Sequence, residues 1–231
     1  MKLSVLIPVY NEVNTIKELI DKVENAKLSI EKEVIIVDDG STDGSRELLR
    51  EKAKEYKNIK LIFHDKNLGK GGAIRTAIKA SCGDILIVQD ADLEYDPDEY
   101  EKVIAPILEG ETKVVYGSRI LEKRNKEKSS LTFYLGGRMV TLTANILFHA
   151  KLTDEPTCYK AFERGIFKEI SFESNGFEWE PEITAKILKK GYKIVEVPIS
   201  YHPRKTKEGK KIKAKDGFKA IATLIKYRFV N

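Results

Sequence analysis

An α/β domain with a mostly parallel central sheet flanked by helices is the fold this sequence predicts, and three observations carry it. Short β-branched runs alternate with amphipathic stretches of helical spacing through residues 1–117. Two of those runs, at 34–37 and 85–88, are continuously apolar, as strands covered on both faces must be. The turns that follow the runs are rich in Gly, Asn and Asp, and an open parallel sheet gathers its ligands at those strand exits.

Taken in order, the first strand, 3–9, exits into Pro8-Val9-Tyr10-Asn11-Glu12 ahead of a helix at 15–25. The second, 33–37, exits into Asp38-Asp39-Gly40-Ser41-Thr42-Asp43; Asp43 or Ser45 can cap the helix at 45–56. The third, 60–64, runs into Asn67-Leu68-Gly69-Lys70-Gly71-Gly72 and a helix at 71–80. The fourth, 85–89, delivers Asp90-Ala91-Asp92, and the helix at 97–108 opens on Pro97, whose missing N–H costs nothing in a first turn. A fifth strand covers 113–117. Beyond it the alternation stops. A charged loop, 118–130, leads to a helix at 131–149 whose Leu131, Leu135, Met139, Leu142 and Ile146 fall in one stripe. A segment punctuated by Pro, Cys and Gly follows, then a helix near 180–190, a strand near 193–198, a basic loop and an amphipathic helix at 216–229.

A chain of 231 residues fits one domain and buries a core without disulfides, and 42% hydrophobic with 33% charged residues excludes disorder. Cys82 and Cys158 have no Cys-x-x-Cys or His-rich spacing around them, so they read as two buried thiols in a reducing compartment. The apolar run at 3–9 is shorter than a signal-peptide core, and no stretch reaches the roughly 18 apolar residues of a membrane span. A cytoplasmic protein, or one peripheral on the cytoplasmic membrane face, is expected. The net charge is +5, yet residues 204–215 alone hold seven Lys or Arg against one Glu. So concentrated a patch suits a nucleotide diphosphate, a lipid phosphate or a membrane surface, and not the broad cationic coat of a nucleic-acid binder.

Asp90 and Asp92, two apart on a turn leaving a buried strand, can converge on one hard divalent cation that clamps a diphosphate. An isolated Asp-x-Asp is a common turn; here an apolar strand delivers it beside the Asp38/Asp39 exit. The glycine-rich run at 67–72 fits neither the Walker pattern nor Gly-x-Gly-x-x-Gly, so its glycines read as close-packing positions, with Lys70 a phosphate contact. Trp179, the only tryptophan, suits the core or a sugar-stacking platform.

Pro8-Val9-Tyr10-Asn11-Glu12, Asp38-Asp39-Gly40-Ser41-Thr42-Asp43, Asn67-Leu68-Gly69-Lys70-Gly71, Gln89-Asp90-Ala91-Asp92-Leu93 and Gly117-Ser118-Arg119, in this order, make the chain resemble family 2 glycosyltransferases of the GT-A fold. The branch it looks most like is that of dolichyl-phosphate mannose synthase and other polyprenyl-phosphate glycosyltransferases. Residues 153–162, 176–182 and 204–212 extend the likeness to nearly the whole chain.

The resemblance implies a nucleotide-sugar half at 1–117, an acceptor-side half at 118–203, and a basic loop with a C-terminal helix at 204–231. It implies that Pro8, Tyr10, Glu12 and Asp39 hold the donor's base and ribose. Asp90 and Asp92, with Gln89, hold Mg²⁺ or Mn²⁺ and the diphosphate, while Arg204, Lys210 and Lys211 close over the phosphates. Arg119 meets the acceptor phosphate, and Arg138, at the edge of the apolar stripe, needs an anionic partner.

The implied reaction is an inverting hexose transfer from a donor of the GDP-mannose or UDP-glucose type to a polyprenyl or dolichyl phosphate. If the acceptor is instead a sugar hydroxyl, a carboxylate base is required, and Glu180, Glu178 or Asp154 would supply it. A sugar-phosphate nucleotidyltransferase would carry a glycine-rich basic loop where Pro8-Val9-Tyr10-Asn11-Glu12 stands, and a non-catalytic binding module would not need both Asp90 and Asp92. The Gln-x-x-Arg-Trp segment of polysaccharide-elongating members is missing. Some members of the branch continue into transmembrane helices whereas this sequence stops at Asn231, so a peripheral enzyme, a membrane-protein partner or a truncated chain are the expectations.

Overall fold

Strand β1 (Lys2–Val9) lies at the heart of a seven-stranded sheet, with β2 (Glu31–Asp38) parallel on one side and β4 (Ile85–Val88) parallel on the other. The structure is a computed structural model, and it describes residues 1–123, 125, 131–204, 211 and 214–230. With β3 (Ile59–Phe63), β5 (Val114–Ser118), β6 (Lys160–Glu163) and β7 (Ile194–Pro198), the strand order is β3-β2-β1-β4-β6-β5-β7. Every pairing is parallel except those of β6, which runs antiparallel to both β4 and β5. The register sets Val9 opposite Asp38 and Leu6 opposite Val88, so the exits of β1, β2 and β4 share one edge.

The helices are α1 (Ile16–Asn25), α2 (Ser45–Lys52), α3 (Lys70–Ala80), α4 (Tyr100–Leu108), α5 (Leu131–Phe148), α6 (Trp179–Lys189) and α7 (Ala214–Phe229); a single turn of 3₁₀ helix, Pro97–Glu99, leads into α4. Helix α1 buries Ile16, Leu19, Ile20 and Val23, the i, i+3, i+4, i+7 pattern of one face. Each such side chain removed from water contributes about 1.5–3 kcal/mol. On the opposite sheet face, Leu6, Ile35, Val37 and Leu86 meet Ala73 and Ala77 of α3. Trp179 belongs to the core: it is fully buried, its ring 5.5 Å from that of Phe172.

Three features differ from expectation. Strand β6 carries no apolar run of its own; tertiary pairing makes it a strand, with Leu86 opposite Phe162 and Ile87 opposite Ala161. Its Lys160 is fully buried, donating to the carbonyls of Glu155 and Thr157 at 2.6 Å each, 4.5 Å from the Tyr116 ring. The stripe of α5 faces outward: Leu135, Met139, Leu142 and Ile146 are 52–65% exposed, because α5 turns Val140 and Ala144 instead onto Ala185 of α6 and Leu224 and Tyr227 of α7. Of the two cysteines only Cys158 is buried; Cys82 is exposed, its thiol donating to Glu33. Among the described residues no helix is long and apolar enough to cross a membrane.

Candidate active site

The shared edge of β1, β2 and β4 opens into a cleft of about 1070 Å³ that continues past the exit of β5 at Arg119 and along α5, α6 and α7. Asn11, in the left-handed backbone region at φ 52° that Asn tolerates, turns the first exit. Its side-chain oxygen accepts from the Thr42 N–H, and its own N–H donates to Ser41 Oγ, tying the first exit to the second. That turn aims Glu12 into the cleft, where Arg204 donates to both carboxylate oxygens at 2.9 and 3.2 Å and Lys211 donates at 2.6 Å. Lys211 also donates to the Tyr10 carbonyl and lies 5.7 Å from the Tyr10 ring. Pro8 lines the cleft as well. Lys210 lies outside the described residues.

The consecutive acids of the second exit split their duties. Asp38 is fully buried and pairs with Arg46 at 2.9 Å. Asp39 lines the cleft, its carboxylate fixed by the N–H groups of Leu68 and Gly69 at 2.9 and 2.7 Å and by His64 Nδ1 at 2.7 Å. The glycine-rich turn that provides those donors has no room for side chains. A Cβ on Gly69, whose φ is +90°, would sit 2.4 Å from the Asn175 carbonyl oxygen, and one on Gly71 would sit 2.3 Å from that of Ser174. The glycines thus serve close packing, as the sequence suggests.

At the fourth exit Lys70 bridges Asp90 and Glu180, at 2.8 Å from each, rather than pointing at open space for a phosphate. Asp92 accepts from Arg204 at 3.0 Å and from the Glu94 N–H at 3.1 Å. Leu93 between them has φ 62°, a left-handed conformation that costs a bulky residue about 1–2 kcal/mol and that sets Asp92 and Glu94 together. Glu94 in turn accepts from Tyr201 Oη and from the backbone of Arg204, holding the segment that carries the arginine. Glu94 and Tyr201 were not anticipated as site residues; the run of acids at 90, 92, 94, 96 and 98 is the sequence signal that points to the first of them.

Gln89, expected beside the metal, is held within the turn. It is fully buried, its Oε1 accepts from both Tyr100 and Tyr159 at 2.7 Å, and its Nε2 donates to the Asp90 carbonyl at 2.9 Å. Both ends are committed to shaping the turn, and Gln89 does not line the cleft.

Electrostatics mark the same turn. Burial, reinforced by the charges of Asp90 and Glu94, pushes the Asp92 carboxyl up to about 7. Burial acts on Asp90 in the same sense, but the Lys70 ammonium outweighs it and holds that carboxyl below its ordinary value. Burial and the Asp90 charge push the neighbouring Cys158 thiol up. Three acids crowd one partly desolvated turn, which suits a hard divalent cation held by Asp90 and Asp92. Among the described residues no group of three or more His, Cys, Asp or Glu encloses a single point, so diphosphate and water oxygens would complete the coordination.

Further along the cleft, Arg119 forms a two-pronged pair with Asp154, through Nε and Nη2 at 2.7 Å each, and its backbone N–H donates to the same carboxylate at 2.9 Å. Burial opposes ionisation of Asp154, yet the guanidinium keeps its carboxyl below the usual range. The expectation that Arg138 faces inward onto an anion fails: it is exposed, and its Nη1 donates to the Thr153 carbonyl at 3.1 Å. Its helix buries the face that carries Val140 and Ala144, leaving Arg138 at the cleft rim. Both arginines therefore contact the segment 153–156, and both line the cleft.

A mostly parallel sheet whose strand exits bring together an acidic turn, an anchored Asp39 and the paired cations Lys70, Arg204 and Lys211 has the architecture of a GT-A domain. More specifically, the family model for glycosyl transferase family 2 matches residues 4–171, and the chain belongs to that family. It is 30% identical over 214 residues to a dolichol-phosphate mannosyltransferase of Pyrococcus furiosus, covering 91% of this chain and 59% of that protein. It is 31% identical over 242 residues to a dolichyl-phosphate beta-glucosyltransferase of Trichomonas vaginalis, covering 97% and 72%. Among solved structures, glucosyl-3-phosphoglycerate synthase of Mycobacterium tuberculosis in complex with Mn²⁺, UDP and glucosyl-3-phosphoglycerate superposes with a TM-score of 0.76 at 19% identity, over 100% of this chain and 81% of that one. The fold is thus shared with a GT-A enzyme, and the chain spans about three-fifths of the length of the Pyrococcus relative.

Proposed function

We propose that this chain transfers a hexose from a nucleoside-diphosphate sugar, of the GDP-mannose or UDP-glucose type, to a polyprenyl or dolichyl phosphate, with inversion at the anomeric carbon. Both relatives are named for dolichyl-phosphate transfer, which supports the acceptor class. One observation carries the choice between a phosphate and a hydroxyl acceptor. Each buried candidate base is neutralised by a cation, Asp154 by Arg119 and Glu180 by Lys70. A hydroxyl acceptor needs one of them to take a proton; a lipid phosphate arrives ionised and needs only positioning.

In this reading residues 1–117 bind the donor, 118–203 present the acceptor, and 204–231 supply the closing cations. Pro8, Tyr10, Glu12 and Asp39 receive the base and ribose. Asp90 and Asp92 hold Mg²⁺ or Mn²⁺, which when bound draws charge from the leaving diphosphate. Arg204 and Lys211, released from Glu12 and Asp92, turn to the donor phosphates. Arg119 and Arg138 orient the acceptor phosphate, whose oxygen forms the new bond to the anomeric carbon as the bond to the nucleoside diphosphate breaks. The enzyme works peripherally at the cytoplasmic face of a membrane, or beside a membrane-protein partner.

The test is to incubate the protein with GDP-, UDP- and CDP-sugars, Mn²⁺ and detergent-dispersed polyprenyl phosphate. Release of nucleoside diphosphate with a lipid-phosphate-linked sugar supports the proposal. Pyrophosphate released from a nucleoside triphosphate would make it a nucleotidyltransferase, and transfer only to sugar hydroxyls would overturn the acceptor assignment.

A further inference from the structure

Seven large apolar side chains stand on the outside of two helices that pack against each other. On α5 they are Leu135, Met139, Leu142 and Ile146, spaced i, i+4, i+7, i+11; on α7 they are Phe218, Ile225 and Phe229, spaced i, i+7, i+11. Phe218 and Phe229 are 77% and 81% exposed. The exposed Ala222 fills the i+4 position of the second stripe, so both helices present the same single-face pattern. Scattered exposed apolar residues are ordinary, but two ordered stripes are not. Neither stripe takes part in the seam between the helices, which is made by Val140, Ala144, Leu224 and Tyr227.

Beside the apolar row of α7 runs a basic one. Lys215, Lys219 and Lys226, at i, i+4 and i+11, are all exposed, as is Arg228, against the one acid Asp216. We propose that the outer faces of α5 and α7 form one plate that docks on an anionic lipid bilayer. Its purpose rests on the polyprenyl-phosphate reading, while its existence rests on the two stripes and the lysine row.

Charge selects the occupant. A second copy docking plate on plate by a two-fold axis would gather both lysine rows into one contact with only Asp216 on each α7 as an acid, and like charges would oppose it. Anionic headgroups instead neutralise the lysines while Phe218, Ile225, Phe229 and the α5 stripe enter the acyl boundary. The plate also adjoins the cleft, since Gly136, Gly137 and Arg138 of α5 and Gly217 and Phe218 of α7 line it. A headgroup phosphate held in the membrane thus reaches the Arg138 rim without its chain leaving the lipid.

Flotation of the full chain with phosphatidylcholine vesicles containing about 30% phosphatidylglycerol tests this, with neither donor nor acceptor present. The wild type is expected to float with these vesicles and not with pure phosphatidylcholine. The triple variant M139E/I146E/F229E, all at exposed positions outside the cleft, should lose about tenfold or more of the bound fraction, with unchanged thermal unfolding and unchanged nucleotide binding. The K219E/K226E variant leaves the apolar stripes intact and should lose binding as well, so the proposal stays testable if the triple variant unfolds. Equal flotation of variants and wild type, or a wild type that never floats, overturns the plate. So does a wild-type dimer in sedimentation that the triple variant breaks. Normal flotation with no transfer to polyprenyl phosphate would fail the functional reading and leave the plate standing.

Discussion

Arg204 reaches Asp92 across 112 positions of sequence, its Nη2 3.0 Å from the carboxylate, while its Nη1 holds Glu12 at 2.9 Å. One guanidinium therefore joins the acids of two strand exits, and anything anionic that enters must compete with both for it. Replacing Arg204 by Ala should lower kcat/KM for the donor sugar by about 30-fold, as loss of one charge-assisted pair of about 2 kcal/mol implies. Arg204→Lys, which keeps the charge and loses the fork, should fall between. Steady-state kinetics with varied donor checks both.

Asp92 gives stability a pH dependence of definite sign. Its folded carboxyl sits at about 7, above the ordinary 3.8, so the folded chain holds a proton that the unfolded chain has released. That contribution is complete below the unfolded value and is lost as pH rises through about 7. Asp92→Asn should remove this decline, raising Tm relative to the wild type more at about pH 8 than at about pH 4. Differential scanning fluorimetry across that range measures it.

Glu182 acts in the opposite sense. Its burial disfavours charge, but Lys186, Ser174 and the Glu173 N–H together bring the carboxyl down to about 2 from 4.5. The stability it contributes is present above about 4.5 and lost as pH falls towards about 2. Glu182→Gln should cost about 1–2 kcal/mol near neutrality and almost nothing at the acid end, read from urea unfolding at each pH.

Gly71 separates packing from propensity. A Cβ there would approach the Ser174 carbonyl oxygen to 2.3 Å and Trp179 Cβ to 2.8 Å. Gly71→Ala should destabilise by about 2–4 kcal/mol through that overpacking. Gly136→Ala, with nothing within 4 Å of its Cβ, should stabilise α5 by about 0.5–1 kcal/mol. Chemical denaturation of the two variants distinguishes the cases.

Six of the seven strands and the acidic exits were legible in the sequence because each strand is a local apolar run that ends in turn chemistry, as at Ile85–Val88 before Asp90. Strand β6 was not, since Lys160-Ala161-Phe162-Glu163 has no run of its own and becomes a strand only between β4 and β5. Periodicity located the stripe on α5 but carries no information on which side the protein lies. Val140 and Ala144 are as apolar as the stripe, and α6 and α7 cover them instead. Within the site, the residue types of Glu12, Asp39, Asp90, Asp92 and Arg204 were legible, whereas their partners were not. Lys70 on Asp90 and Glu180, Asp154 on Arg119, and Tyr201 on Glu94 are pairings between distant segments that only the folded chain brings within reach. Gln89 shows the converse: an outwardly suitable ligand beside Asp90 is consumed by two tyrosines from α4 and the segment before β6.

The proposed reaction uses an acceptor that needs positioning and no general base. Its most direct measurement is transfer from the preferred nucleotide-sugar to polyprenyl phosphate by Arg119→Ala and Glu180→Gln, each compared with wild type in Mn²⁺. Arg119→Ala is expected to lose about 100-fold or more in rate through the acceptor phosphate, while Glu180→Gln keeps turnover within about tenfold of wild type. A fully active Arg119→Ala beside a dead Glu180→Gln would contradict it.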